Sequence, residues 1–196
     1  MGVIIITSCS FEEPTNEEIF YELQKTINDM ESYSCKANIT ITGNKSPSRY
    51  IANHLYKKPY SYKVNYFNKK QSISYDGNRI YLSYPKVDTS IIIRDSKKLE
   101  EDKNLFIGYF IKLITTNEDI MLEKDIIDNN EYLVISLELP GNNIYRAKEK
   151  LWIDKKTFKP YKLRVLDIDG KEQVNVLYKD FKYNIELQDS TFKLDI

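Results

Sequence analysis

Cys35-Lys36-Ala37-Asn38-Ile39-Thr40-Ile41 alternates small or apolar side chains with polar ones at every step. A period of two places Cys35, Ala37, Ile39 and Ile41 on one face and Lys36, Asn38 and Thr40 on the other, the pattern of a strand buried on one side. The segment before it keeps a different period. Ile19, Leu23, Ile27 and Met30 recur at helical spacing, and Thr15-Asn16-Glu17-Glu18 opens that helix with a capping box. The helix is expected to end between Glu31 and Ser34. Its polar face is not enriched in Lys or Arg, so its apolar stripe reads as core packing rather than as a membrane-surface helix.

Beyond Ile41 the β pattern continues. Gly43-Asn44 with Ser46-Pro47 supplies a turn, and His54 to Tyr56 starts a second strand that Lys57-Lys58-Pro59 interrupts. Tyr62, Val64 and Tyr66 share one face of a third. Ile73 to Tyr75 and Arg79 to Tyr84 flank Asp76-Gly77-Asn78, where glycine supplies the positive φ of a tight hairpin. Pro85 stops that strand, and Ser90 to Arg94 is a short apolar one. After the charged stretch Ser96 to Asn104, the segment 105–114 carries Phe106, Ile107, Tyr109, Phe110, Ile111, Leu113 and Ile114. Apolar on nearly every side, it suits a helix buried between layers or lying across the mouth of a curved sheet. The last third is a meander of strands Tyr132 to Leu139, Ala147 to Asp154, Tyr161 to Asp167 and Gln173 to Phe181, with Leu151 and Ile153 on the face opposite Trp152. The expected fold is α+β: a single large curved antiparallel sheet, a half-barrel, wrapped around the N-terminal helix and a central apolar helix.

The 196 residues suit one domain with a sizeable core. With 29 basic and 29 acidic residues the chain lacks the basic surplus of a general nucleic-acid binder. Sixteen tyrosines against one tryptophan, with abundant isoleucine, favour pleated, half-buried surfaces. No run approaches the ~20 apolar residues of a spanning helix.

The start of the chain carries a different signal. Val3-Ile4-Ile5 leads into Ile6-Thr7-Ser8-Cys9, the end of a bacterial lipoprotein signal: an apolar stretch, small residues, then the thiol that receives a diacylglyceryl group. Only eight residues precede Cys9 and none is basic, so residues 1–8 are expected to be the remnant of a longer signal peptide. Residues 9–16 then form the lipidated cysteine and its tether, and 17–196 a single domain. Met1-Gly2 suggests N-myristoylation as a competing lipid, but that motif wants Ser or Thr where Ile6 stands. A short buried strand with a core cysteine is the non-lipid alternative. With Cys9 acylated, Cys35 lacks a disulfide partner and reads as a small buried hydrophobe.

Catalytic chemistry is not expected. The single histidine, His54, with one spare cysteine does not supply the three or four ligands of a zinc site. A G-x-S-x-G elbow, a P-loop and a dinucleotide fingerprint are all missing. The acidic pairs Glu17-Glu18, Glu100-Glu101 and Asp167 with Asp169 sit at a helix start, in a charged loop and beside a turn glycine. Capping, solvation and turn formation account for them. No metal or cofactor is therefore assigned.

Three segments in order carry a family resemblance: His54 to Val64, Ile73 to Tyr81 through Asp76-Gly77-Asn78, and Leu151-Trp152-Ile153-Asp154-Lys155-Lys156-Thr157-Phe158-Lys159-Pro160-Tyr161. With the turn at Asp167-Ile168-Asp169-Gly170-Lys171 and the strand Tyr178-Lys179-Asp180-Phe181, they resemble the LolA-like superfamily of lipoprotein carriers and sensors. Within it, the lipoprotein signal, size and Tyr/Lys/Asn-rich texture resemble the GerS-like germination lipoproteins of anaerobic spore-formers. That resemblance implies a non-catalytic, membrane-anchored partner of a cell-wall N-acetylmuramoyl-L-alanine amidase (CwlD-like), acting in the muramic-δ-lactam modification of spore cortex. The alternatives are a lipid or lipoprotein carrier, with an apolar half-barrel cavity closed by Phe106, Phe110, Ile111 and Ile114, and a small-molecule sensor. An exposed sheet edge could serve a partner or a second copy, giving a homodimer.

Overall fold

The computed structural model describes residues 13–42, 46–67, 71–84, 89–93, 107–116 and 119–193. Helix α1 (Asn16–Asp29) starts at the expected capping box: the Glu18 amide donates to Thr15 Oγ1 at 3.2 Å and the Thr15 amide to Glu18 Oε2 at 2.8 Å. Ile19, Leu23 and Ile27 form its buried stripe, and Met30, in extended conformation, ends it. The strands β1 (Ser32–Ile41), β2 (Ser48–Lys57), β3 (Ser61–Tyr66), β4 (Gln71–Tyr75), β5 (Ile80–Tyr84) and β6 (Thr89–Ile93) follow. Helix α2 (Ile107–Thr116) separates them from β7 (Met121–Ile127), β8 (Asn130–Glu138), β9 (Lys148–Asp154), β10 (Pro160–Leu166) and β11 (Glu172–Tyr183).

All these strands join one antiparallel sheet in the order β6-β5-β4-β3-β2-β1-β11-β10-β9-β8-β7. Two meanders run outward from a central seam where the first strand pairs with the last, Tyr33 opposite Tyr183 and Ile41 opposite Val174. The sheet is open, with β6 and β7 as its edges. This is the curved half-barrel that the LolA-like resemblance implied.

A β-bulge shapes the seam. Between the pairs Ser34–Lys182 and Lys36–Lys179, β1 has one residue and β11 has two, with Asp180 at φ +52°. The extra residue reverses the alternation, so Tyr178 and Phe181 both turn into the core. There Phe181 stacks on Tyr33 with ring centroids 5.0 Å apart, and Tyr56 stacks on the other side at 5.3 Å.

The concave face holds the main core, in which Leu23, Tyr33, Phe110, Leu133, Ile135 and Leu163 are almost wholly excluded from solvent. A smaller cluster of Tyr132, Val134 and Trp152 lies on the convex face, and Trp152 faces away from Leu151 and Ile153 as the alternation predicts. The Trp152 indole donates to Asp125 Oδ2 at 2.7 Å while the Lys162 ammonium sits 3.9 Å above the ring. A 3₁₀ turn (Asp189–Phe192) packs on the convex side of β3, where Lys63 Nζ donates to the Thr191 carbonyl at 3.0 Å.

Three sequence expectations need correction. Strand β7 is not anticipated by periodicity. It is an edge strand in which four of seven residues are exposed and the rest are half-buried, so little burial enforces an alternating pattern. Strand β2 begins at Ser48, six residues before His54, because the mixed segment Ser48 to Asn53 pairs with Lys36 to Ile41 along its whole length. The central helix runs to Thr116, two residues past the expected 114, and over its described residues Ile107–Thr116 it is amphipathic: Ile107, Phe110, Leu113 and Ile114 are buried, whereas Lys112, Thr115 and Thr116 are exposed. The turn at Gly43-Asn44, Pro85 and the stretch 94–106 lie outside the described residues.

Candidate functional site

Of the residues singled out for the concave face, Phe110 is 0% exposed and Ile114 nearly so, while Ile111 is half-buried. Cys9 and Phe106 lie outside the described residues. The spacing i, i+3, i+7 puts Ile107, Phe110 and Ile114 on one side of α2, facing the core. Near the start of the helix, the Gly108 amide donates to Tyr33 Oη at 3.3 Å, tying α2 to the aromatic stack at the seam.

Beside these apolar groups lies a string of buried titratable side chains that periodicity places on the inner face but does not bring together. Cys35 and His54 are cross-strand partners on β1 and β2, 4% and 1% exposed. The His54 ring meets Tyr178 edge-on at 6.4 Å. Tyr178 in turn is coupled electrostatically to Cys35 and, from β9, to Glu149. Glu149 is 0% exposed between its cross-strand neighbours Leu137 and Val165.

Burial disfavours the charged form of each of these groups. It lowers the His54 imidazole to about 4, so the ring is neutral at physiological pH. It pushes the Cys35 thiol and the Tyr178 phenol well up. It also raises the Glu149 carboxyl well above its ordinary value, against a weaker opposing pull from Arg146. A thiol held protonated is neither a nucleophile nor a good metal ligand. Among the described residues no group of three His, Cys, Asp or Glu side chains could hold a metal ion.

The acidic pairs have local duties. Glu18 completes the helix cap. Asp167 Oδ1 accepts from the amides of Asp169 and Lys171, and its Oδ2 from the Gln173 side chain at 2.7 Å, which closes the β10–β11 turn. Glu100-Glu101 lies outside the described residues.

What the geometry leaves available is surface. The two edges expose large apolar side chains, Ile91 (48%) and Ile92 (40%) on β6, Met121 (57%) and Ile126 (60%) on β7. A sheet edge is where a further strand can add by backbone hydrogen bonds.

Comparison with known proteins places this architecture. A chain in the structure of the CwlD amidase from Clostridioides difficile in complex with the GerS lipoprotein is 35% identical, with a TM-score of 0.53 over 89% of this chain and 99% of that one. The lipoprotein LppX from Mycobacterium tuberculosis shares the fold alone, at 10% identity and TM-score 0.51 over 90% of this chain and 99% of that one. The sporulation protein YdcC from Bacillus subtilis is 22% identical over 98% of this chain, and the chain spans only 56% of that relative's length. The family description of the YdcC-like sporulation proteins matches residues 1–192, so the chain belongs to the YdcC-like sporulation protein family.

Proposed function

We propose that this protein is a non-catalytic, membrane-anchored lipoprotein that binds a CwlD-like cell-wall amidase and activates it for the muramic-δ-lactam modification of spore cortex. The observation that carries the reading is the 35% identity to a chain of an amidase–lipoprotein complex, over nearly the whole of that chain. The enclosed interior supports it: the buried thiol, imidazole and carboxyl are closed to solvent, and burial disfavours the charged form of each.

In this reading the partner docks on surface rather than entering a pocket, and the edges β6 and β7 are the available sites. The same edges could pair with a second copy. Purified alone, the protein should cleave no peptidoglycan bond with or without zinc. Mixed with its cognate amidase, it should co-purify as a stable complex and raise that enzyme's activity at matched zinc. Absence of a complex at micromolar concentrations, together with tightly bound acyl lipid, would replace this reading with that of a carrier.

The anchor in this reading is Cys9, at the end of Ile6-Thr7-Ser8-Cys9, with residues 1–8 a signal-peptide remnant and 17–196 the folded domain. Helix α1 begins at Asn16, so the tether contributes nothing to its apolar stripe. Cys9→Ala should therefore move the protein from the membrane to the soluble fraction with an unchanged melting temperature. Persistence of the variant in membranes, with a wild type that carries no lipid by mass spectrometry, would exclude the anchor.

A further inference from the structure

The convex face of β1–β6 carries a polar row that strand register assembles. Lys179 on β11 stands opposite Lys36 on β1, Lys36 opposite Asn53, Asn53 opposite Asn65, Asn65 opposite Ser72, Ser72 opposite Ser83, and Ser83 opposite Ser90. These side chains share the face opposite the core, where each is half-buried or exposed. Adjacent strands lie ~4.8 Å apart, so the row runs ~29 Å across the strands. At its far end the Ser83 and Ser90 hydroxyls are hydrogen-bonded at 2.8 Å.

At the other end, beside the bulge, the row enters a cleft of about 580 Å³ whose walls include Lys36, Asn53, Asn65, Lys159, Asp180 and Lys182. Asp180 is the one acid among the described residues lining it, and it bonds Lys36 Nζ at 2.8 Å. Lys36 and Lys179 are direct cross-strand partners, a like-charge pairing that weakens a sheet. In a chain whose charges balance overall, lysines so concentrated make a site for an anion. Along one rim Ile51 (46% exposed) and Phe67 (53%) stand side by side, the Phe67 amide donating to the Ile51 carbonyl at 2.9 Å.

The chemistry of this surface selects an occupant. Asparagine and serine each donate and accept hydrogen bonds, so the row offers both functions to a chain of hydroxyl and amide groups. A neutral row does not suit an acidic peptide along its length, and a path across the strands excludes strand addition, which follows an edge. An extended β-linked glycan, by contrast, advances one ring in close to the strand spacing. Its apolar ring faces suit Ile51 and Phe67.

We propose that this face binds a carboxylate-bearing glycan strand of the cell wall, with sugar hydroxyl and N-acetyl groups on the row from Asn53 to Ser90 and a carboxylate in the lysine cleft. The inference deepens the cell-wall reading above, but its test does not require the amidase. Wild-type protein should co-sediment with purified peptidoglycan sacculi, and less so as salt rises, since exposed charges are screened. Two double variants test the two ends: Lys179→Glu with Lys182→Glu, and Asn53→Ala with Asn65→Ala. Each should weaken binding at least tenfold while keeping the wild-type melting temperature and amidase complex.

Wild-type protein that sediments no better than albumin, or variants that bind sacculi as wild type does, would overturn the proposal. Variants that lose the amidase complex, with sacculus binding absent in wild type, would make the face a protein-docking surface instead. Failure of wild type to bind the amidase, with sacculus binding intact, would count against the activator reading alone. A variant that melts early is replaced by Asn53→Ser with Asn65→Ser, which keeps polar side chains of smaller reach, and the same threshold then decides.

Discussion

Replacing Phe110 by alanine should lower the unfolding free energy by about 3–5 kcal/mol, the range for emptying a fully buried aromatic site. The ring is 0% exposed and belongs to the main core cluster together with Tyr33 and Leu133. Chemical denaturation of the purified domain measures it directly. The midpoint should fall with an unchanged denaturant slope, because the surface exposed on unfolding is nearly the same. The half-buried Ile111, changed to alanine, should cost clearly less. A loss near zero at Phe110 would mean that α2 is a lid that detaches at little cost, and would favour a carrier with a concave cavity.

Glu149 should show the opposite sign. Its two carboxyl oxygens are buried and make no hydrogen bond among the described residues, and its cross-strand neighbours are Leu137 and Val165. The folded protein therefore holds this proton more tightly than the unfolded chain does. Where the native state binds more protons, stability falls as pH rises. The loss should begin as pH climbs through the ordinary glutamate value of about 4.5 and continue up to the raised value of the folded state. Glu149→Met, similar in length and apolar, should flatten this part of the pH profile and gain about 1–3 kcal/mol at pH 7, the usual cost of an unpaired buried polar group. Thermal melts of both proteins at a series of pH values test it. A methionine variant less stable than wild type at pH 7 would show that the carboxyl has a partner that offsets its burial.

Much of the fold was legible in local pattern. The α1 cap at Thr15 and Glu18, the alternation of β1, the Asp76-Gly77-Asn78 hairpin and the opposed faces of Trp152 and Leu151 each depend on residues close in sequence. Strand β7 and the first half of β2 were not legible, for the same reason in each. Met121–Ile127 and Ser48 to Asn53 are strands because a neighbour supplies their hydrogen bonds, and their exposed or mixed side chains leave little periodic trace.

The candidate surfaces divide similarly. The sequence marked 105–114 as an apolar helix but did not show which side would be buried, which the structure assigns to Ile107, Phe110, Leu113 and Ile114, and a single histidine with two cysteines argued against a metal centre. Spacing could not show that Lys36, Asn53, Asn65 and Ser72 line up, since a register shift of one residue on any strand would turn its member of the row into the core.

By itself the sequence determined the secondary elements with strong periods, the concave-facing residues of most strands and the absence of familiar catalytic motifs, because these follow from near neighbours and composition. Tertiary structure alone decided that β1 pairs with β11 to merge two meanders into one sheet, and that the bulge at Asp180 turns both Tyr178 and Phe181 inward. It alone enclosed Glu149 and gathered the lysines around one cleft. The seam joins residues more than a hundred positions apart, and no local period encodes such pairing.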